Sequence, residues 1–325
     1  MSKLFQTSIC TAVLSALAAI GPSATAKAQE AFPSKPIRLI SCCAGTVDSL
    51  ARMLGEHISQ ETKQPVIVET KAGAAGIIAA SYVMKEKADG YTVLIGTGQH
   101  GANELLYEKV PYNYATDFTP ITGVVTNPTG LFVNAASPYN NINDLVAAAK
   151  KQPGVLTSGW GSTTSRIGSE LFKQLTGADI LTVGYKTNPQ VTIDLIGDRI
   201  TMTMGDIPTN LQHVRSGKLR ALAVSTSSRL AQAPDIPTLE EAGVKGYDNF
   251  GSWIAAWAPA GTPKDTVKTL NGLFERALTS EMARNYFSTT GMLPFVTTSE
   301  GLERYQKAEH NRWARIIKAA GMTKG

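Results

Sequence analysis

The apolar and polar positions of the chain fall into short buried runs that alternate with helical spacings. Ile37, Leu39 and Ile40 form the first run; a small-residue loop through Ala44 and Gly45 follows, then Asp48 and the helical set Leu50, Ala51, Met53 and Leu54. Pro65-Val-Ile-Val-Glu69 and Tyr91-Thr-Val-Leu-Ile95 predict two more strands, with Gly73-Ala-Ala-Gly76, a helix from Ile77 to Glu86 and an Asp89-Gly90 turn between them. Ile121 to Val125 and Leu131 to Val133 are extended on either side of Asn127-Pro128. Beyond them the pattern predicts a helix from Ile142 to Lys150 behind Asn141 or Asn143, a strand from Leu156, and a helix from Ile167 to Leu175. A helix from Pro189 to Ile196, a strand from Ile200 to Met204, a helix from Thr209 to Ser216 and a strand from Leu219 to Val224 follow. Pro234, Pro237, Gly243 and Gly246 mark a turn-rich return to the run Phe250 to Pro259. Two helices finish the chain. One starts at Thr262-Pro-Lys-Asp265, with Thr as N-cap and Pro at the first helical position; the other runs from Glu300 to Ala320 with Leu302, Tyr305, Trp313, Ile316 and Ile317 on one side. Strands alternating with helices predict an α/β fold with a largely parallel sheet. The break at Asn127-Pro128 and the re-entry near Phe250 predict two lobes, residues 29–126 with 249–325, and residues 127–248.

From Ile37 to Arg52 the pattern runs from a strand through small residues straight into a helix start. Such a junction leaves backbone N–H groups without intrahelical partners, and the helix dipole adds partial positive charge there. It suits a carboxylate or a phosphate. Leu156 to Ser165 repeats the design, with a loop of Gly, Ser and Thr before its helix. N-capping accounts for one hydroxyl; Ser162, Thr163 and Thr164 together offer more donors than one cap uses. The third strand ends in Gly96-Thr-Gly-Gln-His-Gly101, formally the dinucleotide pattern G-x-G-x-x-G. A dinucleotide loop opens the first βαβ unit and leads into a full helix. Here the pattern follows the third strand and precedes only Ala102 to Tyr107, so it reads as another small-residue loop at the same sheet edge.

Residues 1–28 carry Lys3, the apolar alanine-rich run Ile9 to Ile20 and the A-x-A site Ala26-Lys27-Ala28. This is the grammar of a cleaved secretory signal peptide and predicts an exported, periplasmic, soluble chain. Its apolar run is short for a membrane anchor. Removing it takes away Lys3 and Lys27, leaving 29 basic against 26 acidic side chains, a mild positive balance. No Lys/Arg stripe with interleaved aromatics appears, which argues against nucleic acid. Of 3 cysteines, Cys10 lies in the leader and Cys42 and Cys43 are adjacent. Adjacent cysteines pair only in a strained ring, and no third sulfur or suitably spaced His completes a metal site. They read as small buried thiols ending a strand. The rival reading is an exported enzyme with Cys42 or Cys43 as nucleophile and His100 as base, which needs thiol and imidazole within hydrogen-bond reach.

A further set of residues spans nearly the whole mature chain. It comprises Phe32-Pro-Ser-Lys-Pro-Ile-Arg38, Gly90-Tyr-Thr-Val-Leu-Ile-Gly96, Asn103, Leu106-Tyr107, Pro111-Tyr112 and Asp117-Phe-Thr-Pro120. Tyr185-Lys186, Asp194-Leu-Ile-Gly197, Leu219-Arg-Ala-Leu-Ala-Val224, Pro237-Thr-Leu-Glu-Glu-Ala-Gly243 and Ala258-Pro-Ala-Gly-Thr-Pro263 follow in order. In this order the chain resembles the solute-binding proteins of tripartite tricarboxylate transporters, the Bug-type periplasmic receptors. The resemblance implies a type II periplasmic binding protein fold, two α/β lobes with a ligand cleft between them, no catalysis, no cofactor and no metal. It implies a small organic carboxylate as ligand, membrane permease subunits as partners, no nucleic acid, and a monomer. A solute sensor presenting the same ligand to a signalling partner is the alternative of the same build.

The family grips a carboxylate with one backbone loop per lobe, and both loops depart here from its usual form. The first is shortened between Arg38 and Asp48 and keeps only Gly45 of a glycine pair; Ser165-Arg166 stand where the second commonly has a His before its helix, and Thr187 replaces a common Gly. The candidate ligand-binding residues are Cys43, Ala44, Gly45, Thr46 and Asp48 in the first loop, Gly98 and His100 after the third strand, and Trp160, Gly161, Ser162, Thr163, Thr164 and Arg166 in the second loop. Tyr185, Thr187 and Asp206 complete the set. Arg166 offers a bidentate fork to a carboxylate, and Trp160 a wall for an apolar or aromatic acid.

Overall fold

One strand belongs to both halves of the molecule. The computed structural model describes residues 32–247, 250–290 and 292–324; the leader expected over residues 1–28 and the lobe boundary expected at 248–249 lie outside them. The chain begins with β1 (Ile37–Ser41), α1 (Thr46–Thr62), β2 (Val66–Thr70), a 3-10 turn (Ala74–Gly76), α2 (Ile77–Val83), β3 (Thr92–Thr97) and α3 (Gln99–Leu106). Next comes β4 (Phe118–Asn134), a strand of 17 residues that runs through Asn127-Pro128 without ending. The second half holds α4 (Ile142–Lys151), β5 (Thr157–Trp160), α5 (Thr163–Thr176), β6 (Leu181–Gly184), α6 (Asn188–Ile196), β7 (Met202–Asp206), α7 (Ile207–Arg215) and β8 (Leu219–Val224). The return comprises β9 (Gly251–Pro259), α8 (Lys264–Thr279), α9 (Glu281–Thr290), β10 (Leu293–Pro294) and α10 (Ser299–Ala319).

The strand order is β2-β1-β3-β9-β4-β7-β5-β6, with β8 and β10 also on β4. β1 lies parallel between β2 and β3, and β5 lies parallel between β6 and β7, as helical crossovers require. Phe118 to Pro128 of β4 pair antiparallel with β9, whereas Thr129 to Asn134 pair with β7 and β8. Pro128 stands where the strand changes partners, a place where a missing N–H is tolerated. The result is two α/β lobes joined through long antiparallel strands.

Each lobe buries its own core. Leu39, Ile40, Leu50, Leu54, Leu94, Trp253, Trp257 and Phe274 meet in the first; Leu131, Val133, Leu145, Phe172, Met202, Met204 and Phe250 meet in the second. At about 25 cal/mol per Å² of apolar surface removed from water, such burial supplies the main drive for folding. Three expectations need correction. The helix α10, assigned to the first lobe, is shared: Leu302 and Tyr305 pack into the first core, but Trp313, Ile316 and Ile317 pack into the second. A helix of 21 residues is simply long enough to reach across the seam. Thr262 does not cap α8, because its hydroxyl donates to the Pro259 carbonyl at 2.8 Å and Pro263 occupies the N-cap. The stretch between α8 and α10, which the pattern left without an element, contains α9 and the β10 contact to β4.

Candidate functional site

The loops at the C-terminal edge of the sheet define the site. β1 and β3 are parallel neighbours, so the loops that follow Ser41 and Thr97 emerge side by side. In the first, Cys42 is buried and Cys43 half-buried, while Ala44, Gly45 and Thr46 are exposed. Gly45 is the N-cap of α1 at φ 79°, ψ −124°, a backbone state that favours glycine, and it gives the helix no side-chain cap. The first-turn amides of α1 therefore have no capping oxygen and sit at the positive end of the dipole. Asp48 in that turn is tied to its neighbours. It accepts from Thr70 Oγ1 and, at 2.8 Å, from Arg52 Nε. The Thr70 hydroxyl first, and Arg52 second, hold its carboxyl below the usual carboxylate range.

The G-x-G-x-x-G loop owes its glycines to aromatic packing. A Cβ on Gly98 would lie 2.3 Å from the Trp253 indole, one on Gly96 2.3 Å from His100 Nε2, and one on Gly101 2.9 Å from Tyr114. His100, expected among the ligand-binding residues, lies in the core of the first lobe. It is 0 % exposed and stands edge-on to Tyr112 and Trp257 at 6.3 and 6.1 Å between ring centroids. Neither ring nitrogen has a hydrogen-bond partner, so it makes no bond to a thiol as a base would. Burial lowers its pKa to about 4 and leaves it neutral.

In the second lobe the hydroxyl-rich loop is partly spent on its own helix. Ser162 caps α5 and Ser165 answers it, forming a capping box. Thr164 is buried. Thr163 Oγ1 accepts from Gln99 Nε2 at 2.9 Å, which joins the start of α5 to the start of α3 across the two lobes. Gly161 permits a close approach: a Cβ there would meet the Thr187 carbonyl carbon at 2.3 Å and the Asn188 nitrogen at 2.4 Å. Thr187 is the exposed N-cap of α6 and makes no side-chain cap bond. The Tyr185 hydroxyl is already committed, donating to Asp194 Oδ2 at 2.9 Å on the outer side of α6. Trp160 lies beneath the Arg166 guanidinium, 5.0 Å from its ring centroid, and Arg166 forms no ion pair among the described residues. Asp206, the N-cap of α7, accepts from Asn188 at 2.9 Å and Asn127 at 3.4 Å. Burial raises its pKa, and the Asn188 bond opposes the rise.

The structure thus sets the loop after β1, Cys43 to Thr46, on the strand next to the one that ends just before Gly98, joins Gln99 to Thr163 of the second loop, and sets His100 and the Tyr185 hydroxyl apart. Sequence reasoning missed Gln99, Asn127 and Asn188. The position of Gln99 between the candidates Gly98 and His100 was the signal that could have found it; no local signal marks the two asparagines as partners of Asp206. Among the described residues there is no cluster of metal ligands and no helix long and apolar enough to cross a membrane.

Two α/β lobes, two long antiparallel connecting strands and anion-favouring helix starts at the seam define a two-lobed solute receptor of the type II periplasmic binding protein fold. Residues 50–322 match the tripartite tricarboxylate transporter family receptor, and the chain belongs to that family. It is a family of receptors, not of enzymes. Protein BugT of Bordetella pertussis is 31% identical over 300 residues, which cover 90% of this chain and 91% of BugT. R. palustris Rpa4515, solved with adipate, is 34% identical with a TM-score of 0.79, over 90% of this chain and 100% of that one. MatC from Rhodopseudomonas palustris, solved with bound malate, is 25% identical with a TM-score of 0.73, over 88% and 100%.

Proposed function

We propose that the chain is an exported periplasmic receptor that captures a small organic carboxylate between its lobes and delivers it, as a monomer, to the membrane permease subunits of a tripartite transporter. The observation that carries this reading is the Gln99–Thr163 bond at 2.9 Å, which joins helix starts of opposite lobes beside the uncapped start of α1. Three sets of helix-terminal amides converging on one seam favour an anion. Arg166, in the first turns of α5 and without an acidic partner among the described residues, is suited to the far carboxylate of a diacid. The adipate and malate of the two solved relatives are diacids, which makes them the first ligands to try.

The test is a thermal-shift panel of mono-, di- and tricarboxylates, amino acids and neutral solutes on the mature chain. A ligand at 100 times its Kd stabilises the folded form by about 2.7 kcal/mol. With roughly 2–4 °C per kcal/mol, the matching carboxylate raises Tm by about 5–10 °C. A panel in which neutral solutes shift Tm and no carboxylate does would refute the reading.

A further inference from the structure

We propose that Cys42 and Cys43 form a thiol–disulfide exchange site, which accepts a small or protein-borne disulfide as oxidant and closes into a disulfide between the two adjacent residues. Along a strand, neighbouring side chains point to opposite faces. Here β1 ends at Ser41, and the bend before α1 turns both cysteines the same way. Their Sγ atoms are 2.9 Å apart, within about 0.9 Å of a disulfide bond length of about 2.05 Å. The two thiols are unequal. Cys42 is fully buried, with its N–H on the Ile95 carbonyl at 3.0 Å. Cys43 is half-buried and adjoins the exposed run Ala44 to Thr46. The two sulfurs share a hydrogen bond, which is the largest cause lowering the pKa of Cys43 and raising that of Cys42. Among the described residues neither sulfur belongs to a metal-ligand cluster, and neither bonds His100.

The exchange follows from this asymmetry. The Cys43 thiolate attacks one sulfur of the oxidant R–S–S–R′, whose S–S bond breaks and releases R′S⁻. A mixed disulfide now joins Cys43 to RS. With the Cys43 charge gone, the largest cause of the raised Cys42 pKa disappears with it. Cys42 gives its proton to R′S⁻ and attacks the Cys43 sulfur, expelling RS⁻, which takes up from solvent the proton that Cys43 released on forming its thiolate. The protein loses two electrons and two protons, and R–S–S–R′ becomes two thiols. Adjacent Cα atoms stand about 3.8 Å apart, below the usual disulfide range of about 4.4–6.8 Å, so the closed ring is strained and readily reduced. Closure also pulls on the loop before Gly45, whose Cβ position has no atom within 4 Å to hold it still. Resting on the reading that this loop grips the ligand, closure weakens carboxylate binding by roughly tenfold, about 1.4 kcal/mol.

The test uses the reduced mature chain and oxidised glutathione, read by intact mass and by iodoacetamide labelling after unfolding in denaturant, which opens the buried Cys42 to the label. The expected product has lost two hydrogen atoms, carries no glutathione, resists labelling at both cysteines and reverts with dithiothreitol. Cys42→Ser stops at one glutathione adduct on Cys43, and Cys43→Ser forms none because Cys42 is buried. Both cysteines remaining open to the label after oxidation, or the two variants reacting alike, overturns the proposal. Titration of the best carboxylate from the panel then compares the two redox forms. A closed ring with unchanged affinity overturns the link to the ligand loop. If no carboxylate binds either form, the receptor reading fails, while the mass result still decides the exchange site.

Discussion

Removing the amide that joins the lobes isolates how much ligand binding depends on one contact between them. Gln99 Nε2 donates to Thr163 Oγ1 at 2.9 Å from a half-buried position, with both groups uncharged. Such a bond contributes about 0.5–1.5 kcal/mol net. It spans the lobes, so its loss registers in ligand affinity and little in the stability of either lobe alone. The corresponding rise in Kd is roughly 2- to 12-fold. Gln99→Ala, Thr163→Val and the double variant, titrated calorimetrically with the tightest carboxylate of the panel, complete a double-mutant cycle. If the two side chains act through each other, the double variant is no worse than the poorer single one, and the coupling equals about 0.5–1.5 kcal/mol. Single effects that add to within about 0.3 kcal/mol would refute the claim that these two side chains act through their bond between the lobes.

Three other expectations follow from packing and burial. Gly161→Ala drives a Cβ into the Thr187–Asn188 backbone, which cannot swing aside; it costs about 1–3 kcal/mol and lowers Tm, and an unchanged melting curve would show that the loop has room to spare. His100 is neutral in both states above pH 6.5; below that the unfolded chain takes up a proton that the folded one refuses until about pH 4. Stability linked to His100 is therefore lost as pH falls from 6.5 to about 4, by up to about 3 kcal/mol, and His100→Phe gains on the parent over that window in urea unfolding; a gap that stays flat with pH contradicts a buried neutral imidazole. Trp313 is 2% exposed and anchors α10 in the second core, so Trp313→Ala costs about 3–5 kcal/mol in unfolding free energy, and a loss below about 1 kcal/mol would show that the end of α10 is dispensable.

Much of the fold was legible because apolar periodicity is local. The runs at Ile37, Pro65, Tyr91, Leu219 and Phe250 became β1, β2, β3, β8 and β9, and the helices behind Gly45 and Ser162 followed their loops. What the pattern missed was longer in range. Asn127-Pro128 looked like a break because proline lacks an N–H, yet β4 continues through it, since the strand changes partners at that point. The site was legible in outline and not in its contacts. A run of hydroxyls announces donors, but whether Ser162 faces a ligand or Ser165 depends on the geometry of its own first turn.

Residue order along the chain determined the α/β class, the two anion-favouring helix starts and the family, since each rests on composition and spacing within a few tens of residues. Tertiary structure alone decided that His100 is sealed among Tyr112 and Trp257, that α10 belongs to both cores, that Gln99 meets Thr163, and that two adjacent thiols face one another at the first loop. These depend on which side chains come together after the sheet has assembled, and on which polar groups are left with a partner once water is gone. Spacing along a chain carries no record of that.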